Sequence, residues 1–329
     1  MRLPRGVYSE NRRDSLPLMV VAQNDMKGRA RNDRWALHCY NNTVLVTIIG
    51  LGLIGGSIGL ALRQGKRPAW EVVGYSRREE TVADALSLGA IDRGEISLKD
   101  TVKQADLVII ATPVLTVKEI FSEIASHLSS GCIITDTAST KVQVMKWAEE
   151  ILPPTVDFIG GHPLAGRETY GIQAAEAKLF RGCTYCLTSS EKTSPKAVDT
   201  VVGMVKKLGA IPFFIDAQEH DNMVAGISHL PMLLSAALVS LTTKNPSWSK
   251  MSKLAASGYH DLTRLASGSP EVNAHICLSN KEAIVSWIDK FSKELERYRQ
   301  LTAEGDKRLE QAFTEANKAR QEWLNNLSA

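Results

Sequence analysis

Val44-Leu45-Val46-Thr47-Ile48-Ile49-Gly50-Leu51-Gly52-Leu53-Ile54-Gly55 sets the architecture of the chain. Its first six residues are β-branched or aliphatic and read as a buried strand. The next six spell G-x-G-x-x-G, and an apolar helical pattern opens near Ile54. Gly50 suits a tight turn, Gly52 a close backbone approach to a pyrophosphate, and Gly55 close helix–strand packing, while the helix N-terminus offers amide donors and a positive dipole. The stretch therefore predicts a dinucleotide site, the alternative being glycines that only pack an α/β core. Leu51, Leu53, Ile54 and Thr112 complete the candidate cofactor-binding set.

Outward from this turn, short apolar runs alternate with helical segments: Glu71–Tyr75, Leu107–Ala111, Cys132–Thr135 and Val156–Gly160. That alternation predicts a parallel sheet with crossover helices, of Rossmann type. Cys183–Thr188 and Ile211–Ile215 are expected to extend the sheet. After residue 217 the pattern is helical throughout. Ile284, Ile288, Phe291, Leu295 and Tyr298 recur at three and four, as do Leu309, Phe313, Ala316, Ala319 and Trp323, giving two amphipathic helices that turn near Gly305. The division is 1–42 as a poorly ordered extension, 43–217 as the dinucleotide-binding domain and 218–329 as an all-helical domain.

Composition narrows the function classes. At 329 residues, 44% hydrophobic and 23% charged, the chain is globular and long enough for about two domains. Net charge is +3, but the first 42 residues carry eight Lys/Arg against four Asp/Glu, so the rest is nearly neutral. No basic stripe suggests a nucleic-acid partner. Those acids also argue against an Arg-rich organellar transit peptide, which stays the alternative to a cytoplasmic protein. Val44–Leu62 and Met223–Leu241 each run without a formal charge. The glycines of the first fit strand, turn and helix, and the His229, Pro231 and serines of the second fit a helix in a core or subunit interface, so no membrane span is expected. Five cysteines suit a reducing compartment. Cys183 and Cys186 have C-x-x-C spacing, but on a strand they point to opposite faces, so no metal site is expected.

The end of the second strand separates the two nicotinamide cofactors. An NAD site places an Asp or Glu there to hold the ribose 2′-hydroxyl. This chain has Gly74-Tyr75-Ser76-Arg77-Arg78. Ser76 stands at the acidic position, and Arg77 and Arg78 supply planar donors suited to a 2′-phosphate, which predicts NADP. Solvated loop arginines are the alternative.

Four further segments follow in order: Thr135-Asp136-Thr137-Ala138-Ser139-Thr140-Lys141 and Gly160-Gly161-His162-Pro163-Leu164-Ala165-Gly166, each after a strand end, then Ile227-Ser228-His229-Leu230-Pro231 and Ser257-Gly258-Tyr259-His260-Asp261-Leu262-Thr263-Arg264. With the glycine turn, these resemble the prephenate/arogenate dehydrogenases over residues 43–329. The resemblance implies a helical dimerisation domain, a homodimer, and oxidative decarboxylation of a cyclohexadienol. In that reaction hydride leaves the ring carbon bearing the hydroxyl, carbon dioxide leaves the opposite carbon, and the ring becomes aromatic.

The resemblance also assigns roles. His162 accepts the hydroxyl proton, which suits a neutral imidazole. Ser139 orients His162 and the nicotinamide, with a helix N-cap as its other reading. Arg264 holds the ring carboxylate through a guanidinium fork. His229 contacts substrate, where it would otherwise be a core histidine, and Glu168 lies near the site entrance. His260 departs from the family pattern, which has Lys or Arg there in many members; a weaker cation tolerates the ammonium of arogenate. Arogenate with NADP, giving L-tyrosine, is thus expected ahead of prephenate giving 4-hydroxyphenylpyruvate. Two competing readings remain. One is an NADP-dependent dehydrogenase of 3-hydroxy acids, which gives no reason for the G-G-H-P-x-A-G segment. The other is a catalytically silent NADP-binding sensor, which has no need of His162, Ser139 and Arg264 together.

Overall fold

A computed structural model describes residues 43–65 and 70–328; the expectations for residues 1–42 lie outside the described residues. Eight strands form one sheet: β1 (Val44–Ile49), β2 (Trp70–Tyr75), β3 (Arg93–Glu95), β4 (Leu107–Ile110), β5 (Ile133–Asp136), β6 (Asp157–Pro163), β7 (Thr184–Ser189) and β8 (Ile211–Phe214). Their order is β3-β2-β1-β4-β5-β6-β7-β8. Every pairing is parallel except β6 with β7.

Alternation along the central strands builds two cores, one on each side of the sheet. Val46, Ile48, Leu107 and Ile109 enter the first, against helices α1 (Leu53–Leu62) and α6 (Pro195–Lys207). Ile49, Val108, Ile110 and Ile134 enter the second, against α4 (Val117–Ile124) and α5 (Val142–Ile151). Between them along the chain lie α2 (Glu79–Ser87) and α3 (Leu98–Val102).

The sequence reading differs from this sheet in three places. β3 has only three residues, Arg93-Gly94-Glu95, with no apolar pattern to reveal it. β7 runs against β6, a direction that an apolar run does not encode. β6 continues to Pro163, so His162 lies within the strand, opposite Cys186, and not in the loop beyond it.

Beyond β8 the chain is helical. α7 (Ala217–Val224) starts under Asp216, whose side chain accepts from Gln218 N and Glu219 N. One π-turn, Ala225–His229, leads into α8 (Leu230–Thr243). Pro231 has no N–H for the helical ladder, which accounts for the irregular turn. α9 (Trp248–Met251), α10 (Ser257–Thr263), α11 (Pro270–Ser279), α12 (Lys281–Glu304) and α13 (Arg308–Ser328) follow. Gly305 closes α12 in the left-handed conformation, φ 63°. The expected stripes are present, but apart from Ile284 they stay largely uncovered: Ile288, Leu295, Phe313 and Trp323 are exposed. Ala217–Thr243 is the one helix among the described residues that length and composition would allow to cross a membrane.

The helical part docks against the carboxyl ends of β5 and β6. α5 has no local side-chain cap at Lys141. Instead Asp221 of α7 accepts from Lys141 N at 2.7 Å and Val142 N at 2.9 Å, doing across 79 residues what an N-cap does locally. Thr140 Oγ1 and Ser279 Oγ meet at 2.9 Å, and Asn280 Nδ2 donates to Asp221 O at 2.7 Å. Ser139 is therefore not the cap of α5.

Replacing Asp221 by Ala removes a buried carboxylate and strands two amides. This is expected to lower the unfolding free energy by about 2–4 kcal/mol in urea. An unchanged midpoint would show that the junction does not depend on it.

Candidate active site

The glycine turn sits where the sheet order reverses, between β1 and β4, the position at which open α/β sheets bind ligands. Gly50 has φ 101°, and a Cβ there would lie 2.6 Å from Ala111 O and 2.7 Å from Thr112 Cγ2. A Cβ on Gly55 would lie 2.0 Å from Gly50 O, whereas one on Gly52 would meet no atom within 4 Å. Protein packing therefore demands the first and third glycines, and the space over the second is open at the N-terminus of α1. This cradle fits a dinucleotide pyrophosphate, with Leu53 and Ile54 in the first turn of α1 and Leu51 buried beneath. Thr112 Oγ1 accepts from Thr116 Oγ1 at 2.8 Å, which fixes it beside Gly50.

At the end of β2, Ser76 Oγ accepts from Arg78 N at 3.3 Å. Arg77 and Arg78 are exposed, and among the described residues neither forms an ion pair.

A buried polar cluster lies at the ends of β5 and β6. Asp136 and Lys141 are fully buried, with Nζ 2.5 Å from Asp136 Oδ2. Lys141 also donates to Gly161 O at 2.5 Å, and Gly161 N donates to Asp136 Oδ1 at 3.0 Å. The ion pair thus clamps the backbone immediately before His162. His162 Nδ1 lies 2.9 Å from His220 Nε2, and His220 Nδ1 lies 2.7 Å from Asp221 Oδ1. Among the described residues, His162 Nε2 has no partner.

Burial pushes the His162 imidazole well below its ordinary 6.5, and His220, Lys141 and His229 push it the same way. The ring is therefore neutral at physiological pH and able to accept a proton. His229, at the end of the π-turn, has Nδ1 3.4 Å from Asn280 Nδ2, and its buried Nε2 has no hydrogen-bond partner. Burial lowers it to about 4, with Asp221 opposing and His220 assisting. A neutral ring with an unpaired buried nitrogen is equipped to hydrogen-bond a ligand.

The other sequence-predicted residues are placed less centrally. Ser139 is half-buried in the loop between β5 and α5. Arg264, after α10, is exposed and ion-paired with Glu168, six residues beyond His162 on the chain. That pair joins the loop after β6 to the helical part. His260 is exposed and only 3.4 Å from its neighbour Asp261, with no contact to the imidazole cluster. Sequence reasoning missed Asp136, Lys141, His220, Asp221 and Asn280. The adjacent His220-Asp221 at the head of an apolar helical stretch was the available signal.

Two sequence families match successive parts of the chain: "Prephenate dehydrogenase, nucleotide-binding domain" over residues 58–212 and "Prephenate dehydrogenase, dimerization domain" over residues 216–315. A prephenate dehydrogenase of Bacillus subtilis is 36% identical over 263 residues, 79% of this chain and 71% of that protein. The crystal structure of prephenate dehydrogenase from A. aeolicus, in complex with hydroxyphenyl propionate and NAD+, superimposes with TM-score 0.78 at 30% identity, covering 85% of this chain and 98% of that one. Synechocystis arogenate dehydrogenase superimposes with TM-score 0.72 at 28% identity, covering 85% and 100%.

The lowered histidines make stability depend on pH. Each binds its proton more readily unfolded than folded, so their contribution is complete above about pH 6.5 and falls as the pH drops, for His229 through about 4. Denaturant titrations of wild type and His229→Asn should diverge over that window by on the order of 3 kcal/mol. Parallel curves would mean that His229 is hydrated.

Proposed function

This chain belongs to the prephenate dehydrogenase family, and from that premise we propose that it oxidatively decarboxylates L-arogenate to L-tyrosine with NADP as hydride acceptor. The coarser statement, a prephenate/arogenate dehydrogenase using a nicotinamide cofactor, follows from the family matches and the Rossmann-type domain.

The observation that carries the cofactor reading is the end of β2. Ser76 brings no carboxylate to repel a 2′-phosphate, and Arg77 and Arg78 are unpaired and exposed. For the substrate, His260 leaves the family's usual cation out, which favours the amino-acid side chain of arogenate over the keto acid of prephenate. Prephenate is the second reading, favoured by the names of the Bacillus subtilis and A. aeolicus relatives.

When bound, the oxidised nicotinamide supplies the hydride acceptor. His162 takes the 4-hydroxyl proton at Nε2 as the ring carbon is oxidised, which raises electron demand at the ring and lets carbon dioxide leave the opposite carbon. The proton returns to the phenolate oxygen as the ring aromatises. The Arg264 fork holds the ring carboxylate, displacing Glu168 from the guanidinium. His229 hydrogen-bonds substrate through Nε2, and Ser139 orients His162 and the nicotinamide. The uncovered residues of α12 and α13, in a domain that the family describes as a dimerization domain, support a homodimer.

The deciding measurement is kcat/KM for arogenate and for prephenate, each with NADP and with NAD. Arogenate with NADP should be the best pair. Equal values for the two cofactors would remove the NADP preference, and a higher value for prephenate would replace the substrate.

Two substitutions test the roles. His162→Asn should lower kcat by ~10²–10⁴-fold without weakening cofactor binding. Arg264→Lys should raise KM for substrate and leave that for cofactor unchanged. An unaltered kcat in the first, or an unaltered KM in the second, would remove that residue from the site.

A further inference from the structure

The polar chain behind His162 has a fixed direction. Lys141 N donates to Asp221 Oδ1 and Val142 N to Asp221 Oδ2, so the carboxylate meets His220 as an acceptor. His220 Nδ1, 2.7 Å from Oδ1, must be the protonated nitrogen. A neutral His220 then offers a lone pair at Nε2, and His162 Nδ1, 2.9 Å away, must be the donor. This leaves the lone pair of His162 on Nε2, the nitrogen without a hydrogen-bond partner among the described residues. His220 and Asp221 are each 1% exposed, so water does not compete for these bonds. The two rings stand edge to face, centroids 5.1 Å apart.

We propose that Asp221 and His220 are positioning residues for the base. Asp221 sets the tautomer of His220, His220 sets that of His162, and the proton captured at His162 Nε2 is relayed from Nδ1 to His220, beside a carboxylate. The inference rests on the reading of His162 as the hydroxyl's base. The steps balance: the substrate O–H bond breaks as His162 Nε2–H forms, and His162 Nδ1–H breaks as His220 Nε2–H forms. The C–H electron pair leaves as hydride to the oxidised nicotinamide. Reprotonation of the phenolate runs the relay backwards.

The surroundings favour this route over a stationary imidazolium on His162. The groups facing that ring are His220, Lys141 and His229, and none is an anion. Lys141 is already matched by Asp136. Among the described residues, the only carboxylate that the hydrogen-bonded chain from His162 reaches is Asp221.

Nitrogen-15 NMR of the imidazoles in the unliganded protein tests the tautomers without any substrate. Both His162 and His220 should show protonated Nδ1 and unprotonated Nε2 at neutral pH. In Asp221→Asn the amide oxygen is placed to meet Lys141 N and His220 Nδ1 and the NH₂ faces Val142 N, so both rings keep their tautomers but the negative charge beside the relayed proton is lost. Here kcat should fall at least ~10²-fold, with KM for substrate and cofactor within about threefold. His220→Gln accepts the His162 Nδ1–H bond but cannot carry the proton. It should lower kcat similarly and shift the acid limb of its pH profile, whereas a packing role alone would leave that limb in place. Protonated Nε2 on either ring of the wild type, or wild-type kcat and pH profile in both variants, would overturn the proposal. If neither arogenate nor prephenate is oxidised, the function reading fails while the NMR still decides the tautomers; if Asp221→Asn does not fold, the wild-type spectrum and His220→Gln decide.

Discussion

A single carboxylate, Asp221, holds the two halves of this molecule in one geometry. It caps α5, which belongs to the sheet domain, from α7, which belongs to the helical domain. Helices normally meet their orphan amides with a residue beside them in sequence. Here the residue at that place is Lys141, whose side chain is committed to Asp136 and Gly161. The cap must come from elsewhere, so the start of α5 is completed only when the helical part is docked. Asn280 adds to the dependence by donating to the backbone oxygen of the same aspartate.

The density of buried polar groups around that junction is costly, and its arrangement shows what it obtains. Asp136 and Lys141 are both fully buried, and isolated burial of either charge would cost several kcal/mol. Together, with Gly161 giving a donor and an acceptor, they saturate one another and fix the strand end that carries His162. The imidazoles are treated in the opposite way. His162 and His229 are desolvated, and burial holds both neutral at physiological pH. Charge is concentrated where it positions backbone, and lone pairs are left where a ligand is to be met.

Much of this was legible locally. Gly50 and Gly55 are required by contacts within the strand–turn–helix unit itself, so their spacing in sequence carries the geometry. The Ser76-Arg77-Arg78 strand end is similarly local, and the apolar periods of α12 and α13 predicted helices that the structure contains. What escaped is non-local. The pairs His162–His220 and Lys141–Asp221 span 58 and 80 residues, and nothing in the composition of either partner announces the other. The direction of β7 depends on how the chain returns after Pro163. His162 was named by resemblance, whereas His220 lies 58 residues away and had only the adjacent Asp221 as a local signal.

The helix α8 ties the segments that carry His229 and Arg264 to one element. His229 precedes its first turn, and the neighbouring Pro231 accounts for the π-turn that carries that ring. In its middle, Ser235 is buried and its Oγ accepts from Ala266 N at 2.9 Å, two residues past Arg264. At its far end Thr242 Oγ1 meets the hydroxyl of Tyr259 at 2.8 Å, so α10, which leads into Arg264, is held there too. His229 thus leads directly into α8, and the segment that carries Arg264 is hydrogen-bonded to that helix on either side of the arginine. Ile227 in the π-turn and Leu241 near the end of α8 are both 74% exposed.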